Sequence, residues 1–94
     1  MTPEQQIAAD TARSAAIIAR NDAVRLKEAA HALKGSVGNF DPGAAFEAVR
    51  SLEFIGRENR LVEAPAALAA AKAEIARVMR GLRRLKKAMN SQVG

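Results

Sequence analysis

Apolar side chains recur at intervals of three and four residues along most of the chain. Short polar or proline- and glycine-containing stretches break that rhythm, so the pattern predicts four helices. The first is introduced by Thr2-Pro3-Glu4-Gln5: a capping residue, a proline at the first helical position and a glutamine three residues after the cap. It should span residues 3–20 with a thin inner stripe of Ile7, Thr11, Ala15 and Ile18. Asn21-Asp22 then supplies a turn and the next cap. In the second helix, over 22–39, Leu26, Ala30, Leu33 and Val37 fall within roughly 40° of one another at 100° per residue and mark the core face. Asp41-Pro42-Gly43 reads as a loop, a cap and a first-turn proline for a third helix over 42–58. Its core stripe is Ala45, Val49, Leu52 and Gly56, widened by Ala48 and Ile55. Polar residues 57–60 turn the chain, and Pro65, which a helix interior would reject, puts the start of the fourth helix near 64. From there Leu68, Ala71, Ile75, Val78, Leu82, Leu85 and Met89 alternate by three and four to an expected end at 89, leaving residues 90–94 as a frayed tail.

Four helices with short connections predict an all-α, antiparallel up-down-up-down four-helix bundle, one domain over residues 1–94. The heptads of the fourth helix could also zip two copies into a coiled-coil dimer. The other three helices need that seam for their own burial, which favours a monomer.

Composition sharpens this reading. The 94 residues are 49% hydrophobic but only 3% aromatic, as expected of a small helical core. There is no cysteine and one histidine, which removes disulfide frameworks, thiolate zinc sites and histidine-rich metal sites. The longest apolar runs, 15–19 and 64–71, fall far short of the ~20 residues of a membrane span. The N-terminus does not resemble a signal peptide, so a cytoplasmic domain is expected. The net charge of +5 is uneven: residues 1–71 hold eight basic and nine acidic side chains, whereas 72–94 hold seven basic ones against Glu74 alone.

The candidate chemistry centres on the single histidine. His31 projects about 130° from the core direction of its helix, with Lys27, Lys34, Gly35 and Gly38 on the same side. A neutral imidazole is a nucleophile near physiological pH, and a lysine three residues on shares its face. Two glycines within an exposed helix each cost about 0.5–1 kcal/mol relative to alanine. On an outward face they suggest a surface cleared for another protein.

The run His31-Ala32-Leu33-Lys34-Gly35-Ser36, preceded by Ala29-Ala30 and followed by Gly38-Asn39-Phe40, resembles the signature of histidine-containing phosphotransfer (Hpt) domains of bacterial two-component phosphorelays. Leu52-Glu53 with Arg57 is similar to that family's leucine-glutamate segment on the following helix. The resemblance implies that His31 is phosphorylated and that Lys34 orients the phosphoryl group. It also implies that Gly35, with Gly38 beside it, lets a receiver domain approach. Ser36 and Asn39 match less discriminating positions. Chemotaxis-kinase members usually carry a second histidine on the third helix, absent here, so the hybrid-kinase or free-standing type fits better. Two departures concern the bundle rather than the site: a short, alanine-rich first helix, and Phe40-Asp41-Pro42-Gly43 in place of the usual leucine-glycine-alanine connection.

By this resemblance the outer ring nitrogen of His31 attacks a receiver phosphoaspartate in line, and the phosphoryl group later passes to another receiver. The chain would be a phosphocarrier rather than an enzyme. No carboxylate cluster adjoins His31 in the sequence, so magnesium and most of the catalytic groups are expected on the partner receiver, with no metal or cofactor held here. Expected partners are response-regulator receivers, a hybrid histidine kinase, or both. On the third helix Phe46, Arg50, Glu53, Phe54 and Arg57 project away from the core stripe. Phe46 is expected to complete the core, whereas Phe54, with Lys27, Ser36, Arg50, Glu53 and Arg57, would form the docking surface.

The cations Arg77, Arg80, Arg83, Arg84, Lys86 and Lys87 raise a rival reading, a nucleic-acid-binding helix. With no interleaved aromatic and no helix-turn-helix spacing, a solvated face complementing the helix dipole accounts for them better. An adaptor bundle with an inert histidine is the third reading. It separates from the first by whether His31→Gln abolishes any activity.

Overall fold

The computed structural model describes residues 2–40 and 42–93, with side chains to Asn90. It contains α1 (Pro3–Ala19), α2 (Ala23–Gly38), α3 (Ala44–Arg57), a single 3-10 turn (Leu61–Glu63) and α4 (Ala64–Val93).

The helix starts follow the local chemistry. Thr2 caps α1 through its hydroxyl on the Gln5 amide, while the Gln5 side chain accepts from the Thr2 amide, a complete capping box. Asp22 caps α2 by accepting from the Arg25 amide. Asn21 and Asn59 hold the two left-handed turn positions, φ 55° and 54°, a conformation asparagine tolerates better than most residues. Two ends differ from expectation. α3 begins at Ala44, two residues late: its N-cap is Gly43, which offers no side-chain cap, and the expected cap Asp41 lies outside the described residues. α4 passes its expected end at 89 and is helical to Val93.

Contacts link α1 to α2, α2 to α3 and α3 to α4, most extensively between α2 and α3, with a sparser seam between α1 and α4. The core has two parts. One gathers Ile17, Leu26, Ala29, Ala30, Leu52, Ile55, Ala64 and Leu68. The other gathers Ile7, Leu33, Val37, Ala45, Val49, Ala71 and Ile75. The expected stripes of α2 and α3 are buried throughout. That of α1 is rotated: the buried positions are Ile7, Asp10, Ser14 and Ile17, while Thr11, Ala15 and Ile18 are half-buried. Apolarity misplaces this face because two of its four inner residues are polar. The polar groups are met locally only in part: the Ser14 hydroxyl donates to the Asp10 backbone carbonyl and the Gln6 amide donates to Asp10 Oδ1, whereas Asp10 Oδ2 is buried without a hydrogen-bond partner among the described residues.

The α4 seam is covered only in part. Leu68, Ala71 and Ile75 are buried, but Leu85 and Met89 are 57% and 56% exposed. Thirty residues at 1.5 Å rise give about 45 Å, much of the 51 Å long axis, while α1 to α3 have 14 to 17 residues. The last turns therefore leave most of their apolar face uncovered. Lys86 still reaches back to Glu4 at 3.0 Å and pins α4 to the start of α1.

Candidate functional site

α2 holds His31 between Ala30, in one part of the core, and Leu33, in the other, so the backbone under the imidazole is anchored on both sides. The ring projects outward with its side chain 71% exposed. The neighbouring helix comes very close here. A Cβ on Gly56 would lie 2.7 Å from the backbone nitrogen of Lys27 and 3.1 Å from the Ala23 carbonyl oxygen, so only glycine lets α3 approach α2 this tightly.

That approach delivers Glu53 to the histidine. Glu53 Oε2 lies 2.5 Å from His31 Nδ1, and Oε1 lies 2.8 Å from Lys34 Nζ. Arg57 Nη2 stands further out, 3.8 Å from the same Oε1. Glu53 is only 4% exposed. Its burial favours the protonated acid, but hydrogen bonds from Lys34 and His31, and the charges behind them, outweigh that and hold the carboxyl below the ordinary glutamate range. An ionised carboxylate can only accept, so the contact at Nδ1 requires a proton on that nitrogen. The lone pair of a neutral ring then lies on Nε2, the outward nitrogen.

Glu53 was expected on the exposed docking surface and is instead buried between the two helices as the group that orients the imidazole. Burial and the paired cations are the physical reason: an α3 position between the core stripe and the outer face is covered once α2 packs closely. Lys34, 23% exposed, likewise has its ammonium on Glu53.

The two glycines separate. A Cβ on Gly35 would meet nothing within 4 Å, so the surface one turn beyond His31 is open. A Cβ on Gly38 would lie 3.3 Å from the Phe46 ring, which makes Gly38 a packing position against α3 rather than part of an outward clearing. Phe46 is half-buried, as expected of a core-completing ring. Ser36 is also half-buried, and Lys27 is exposed. Phe54 is 44% exposed. It lines a shallow groove with Arg50, which pairs with Glu47 at 3.1 Å. A second concavity beside the imidazole is lined by Lys27, Glu28, His31, Glu53 and Arg57. Among the described residues no group of three or more histidine, cysteine or acidic side chains is placed to hold a metal ion, and no helix is long and apolar enough to cross a membrane.

The helical bundle thus presents one exposed imidazole, braced from behind by a buried carboxylate. The family model of the Hpt domain matches residues 4–81, and the chain belongs to that family. Hpt domains are phosphocarriers in the phosphorelays of two-component signalling, not enzymes, and they work with response-regulator receivers and kinases. No curated protein and no solved structure shows significant similarity to the chain. The sequence marks Glu53 but not its place beside the imidazole. The available signal was the pair His31 and Lys34, three residues apart on one helix, facing a carboxylate on the next.

Proposed function

We propose that this chain takes a phosphoryl group onto Nε2 of His31 from the phosphoaspartate of a receiver domain and passes it to an aspartate of another receiver. The observation that carries this reading is the exposed ring whose Nδ1 sits 2.5 Å from a buried, ionised carboxylate, leaving Nε2 free to attack. The transfer balances simply. The Nε2 lone pair forms the N–P bond as the P–O bond to the aspartate breaks, and the bond electrons leave with the aspartate carboxylate. The proton on Nδ1 stays in place. The ring then carries a positive charge, and the Glu53 carboxylate stabilises it, as a buried carboxylate does for an imidazolium in a catalytic triad. Passing the group on reverses each of these steps.

Magnesium and the remaining charge stabilisation are supplied by the receiver, and the chain acts as a cytoplasmic monomer. An up-down-up-down antiparallel arrangement is supported by pairs 27/56, 31/53 and 38/46, which run in opposite order along α2 and α3, and by Lys86 near the end of α4 meeting Glu4 at the start of α1. The open surface at Gly35 and the exposed ring of Phe54 give the receiver its approach.

The test is incubation with phosphorylated receivers, followed by mapping of acid-labile, base-stable phosphate. Label is expected on the wild type and none on His31→Gln with an unchanged helical circular dichroism spectrum. Label that persists in His31→Gln would overturn the assignment.

A further inference from the structure

The resemblance to the family assigns the phosphoryl group to the lysine three residues after the histidine, but the geometry points elsewhere. We infer that Arg57 is the side chain that contacts the phosphoryl oxygens on His31, and that Lys34 is a positioning residue acting through Glu53. This rests on His31 being the phosphorylated residue.

Three observations carry it. First, Lys34 is engaged. Its ammonium lies 2.8 Å from Oε1 of a carboxylate that is 4% exposed, and moving it to a phosphoryl group would strip a buried anion of its hydrogen bond. Arg57 has no such tie: its guanidinium is 3.8 Å from Oε1, beyond hydrogen-bond distance, and its side chain is 59% exposed. Second, Arg57 is in the right place. It lines the concavity beside the imidazole, whereas Lys34 does not. It also follows Glu53 by four residues, and helical side chains lean toward the N-terminus, so it reaches back over Glu53 toward the ring. Lys27, the other cation on that rim, precedes His31 by four residues on the same helix, and the same rule tilts it away from the ring. Third, the charges call for it. Lys34 and the phosphorylated ring carry two positive charges against one negative charge on Glu53 and two on the phosphoryl group, so one negative charge is left for another cation, and a guanidinium fork matches the phosphoryl oxygens better than a point charge does.

The division of labour separates in one experiment that needs no docking partner. Wild type, Arg57→Gln, Arg57→Lys, Lys27→Gln and Lys34→Met are treated with potassium phosphoramidate, whose P–N bond breaks with loss of ammonia as the Nε2–P bond forms. Rates are followed by mass spectrometry, the 31P resonance of the product is recorded, and the ring tautomer is read from 15N shifts. Arg57→Gln is expected to slow phosphorylation about tenfold and to move the 31P resonance, with the Nδ1–H tautomer unchanged and partial rescue by Arg57→Lys. Lys34→Met is expected to alter the Nδ1–H signal while leaving the 31P resonance in place, and Lys27→Gln to change neither. A 31P resonance moved by Lys34→Met but not by Arg57→Gln overturns the inference. So does an effect of Lys27→Gln equal to that of Arg57→Gln, which would mean only a diffuse field. If the wild type carries no phosphate on His31, the phosphocarrier reading itself fails, and the inference with it.

Discussion

Replacing Glu53 by glutamine changes one atom of the site and inverts the histidine. The side chain keeps its size, and only one orientation of the amide suits both neighbours. Lys34 can donate but not accept, so the amide oxygen must stay on its ammonium where Oε1 now lies, 2.8 Å away. The amide NH2 then faces Nδ1 of His31, where a carboxylate oxygen now sits at 2.5 Å. Two donors cannot share that contact, so Nδ1 must give up its proton and become the acceptor. The proton moves to Nε2 and covers the nucleophilic lone pair. The preference being reversed is that of a hydrogen bond to a charged group, about 1.5–3 kcal/mol. At 1.36 kcal/mol per decade this is about a 10- to 150-fold loss of phosphorylation rate. The product also loses the anion that balances its ring charge, so the figure is a lower bound. Single-turnover transfer from a phosphorylated receiver gives the rate, and long-range 1H–15N correlation of the His31 ring gives the tautomer. A rate within threefold of wild type, or a ring that keeps its proton on Nδ1 in Glu53→Gln, would mean that Glu53 does not set the tautomer that transfer needs.

Other consequences follow from the same geometry. Because nothing lies within 4 Å of a Cβ at Gly35, Gly35→Ala should raise stability to urea by about 0.5–1 kcal/mol, whereas Gly35→Trp should slow transfer from a receiver but not phosphorylation by phosphoramidate. Gly56→Ala should destabilise the fold by about 1–3 kcal/mol, since its methyl would sit 2.7 Å from the Lys27 backbone, and the His31 ring resonances should shift as α2 and α3 part. Glu53 ionises more readily in the fold than in the unfolded chain, so the fold binds fewer protons there. Its contribution is complete above the unfolded value and lost as pH falls through the lower folded one. The stability advantage of wild type over Glu53→Gln should therefore shrink on acidification through the carboxylate range in pH-dependent urea melts, and an advantage that grows there would contradict the assignment.

What could be read from the chain, and what could not, divides along physical lines. The α2 stripe Leu26, Ala30, Leu33 and Val37 and the outward direction of His31 were legible because helical periodicity alone fixes them, and all four stripe residues are buried. The α1 face was misplaced by about one residue because Asp10 and Ser14 occupy it, and a burial rule based on apolarity has no place for an inward aspartate. The same rule places Glu53 on the surface. Its burial depends on partners 22 and 19 residues away on another helix, and no local pattern encodes them. Gly38 lay outward by angle yet meets Phe46, because a neighbouring helix covers more than the narrow stripe that defines the core direction. The heptads of α4 foretold a helix but not that its partners stop short of Leu85 and Met89, since the seam of one helix does not record the lengths of the others.

Whether the outward nitrogen of this one histidine carries the phosphoryl group is read from 31P–15N NMR of the chain phosphorylated by a receiver. A single phosphohistidine is expected, with phosphorus coupled to Nε2 of His31 and a proton retained on Nδ1. Phosphorus bonded to Nδ1, or phosphate on any residue other than His31, would contradict it.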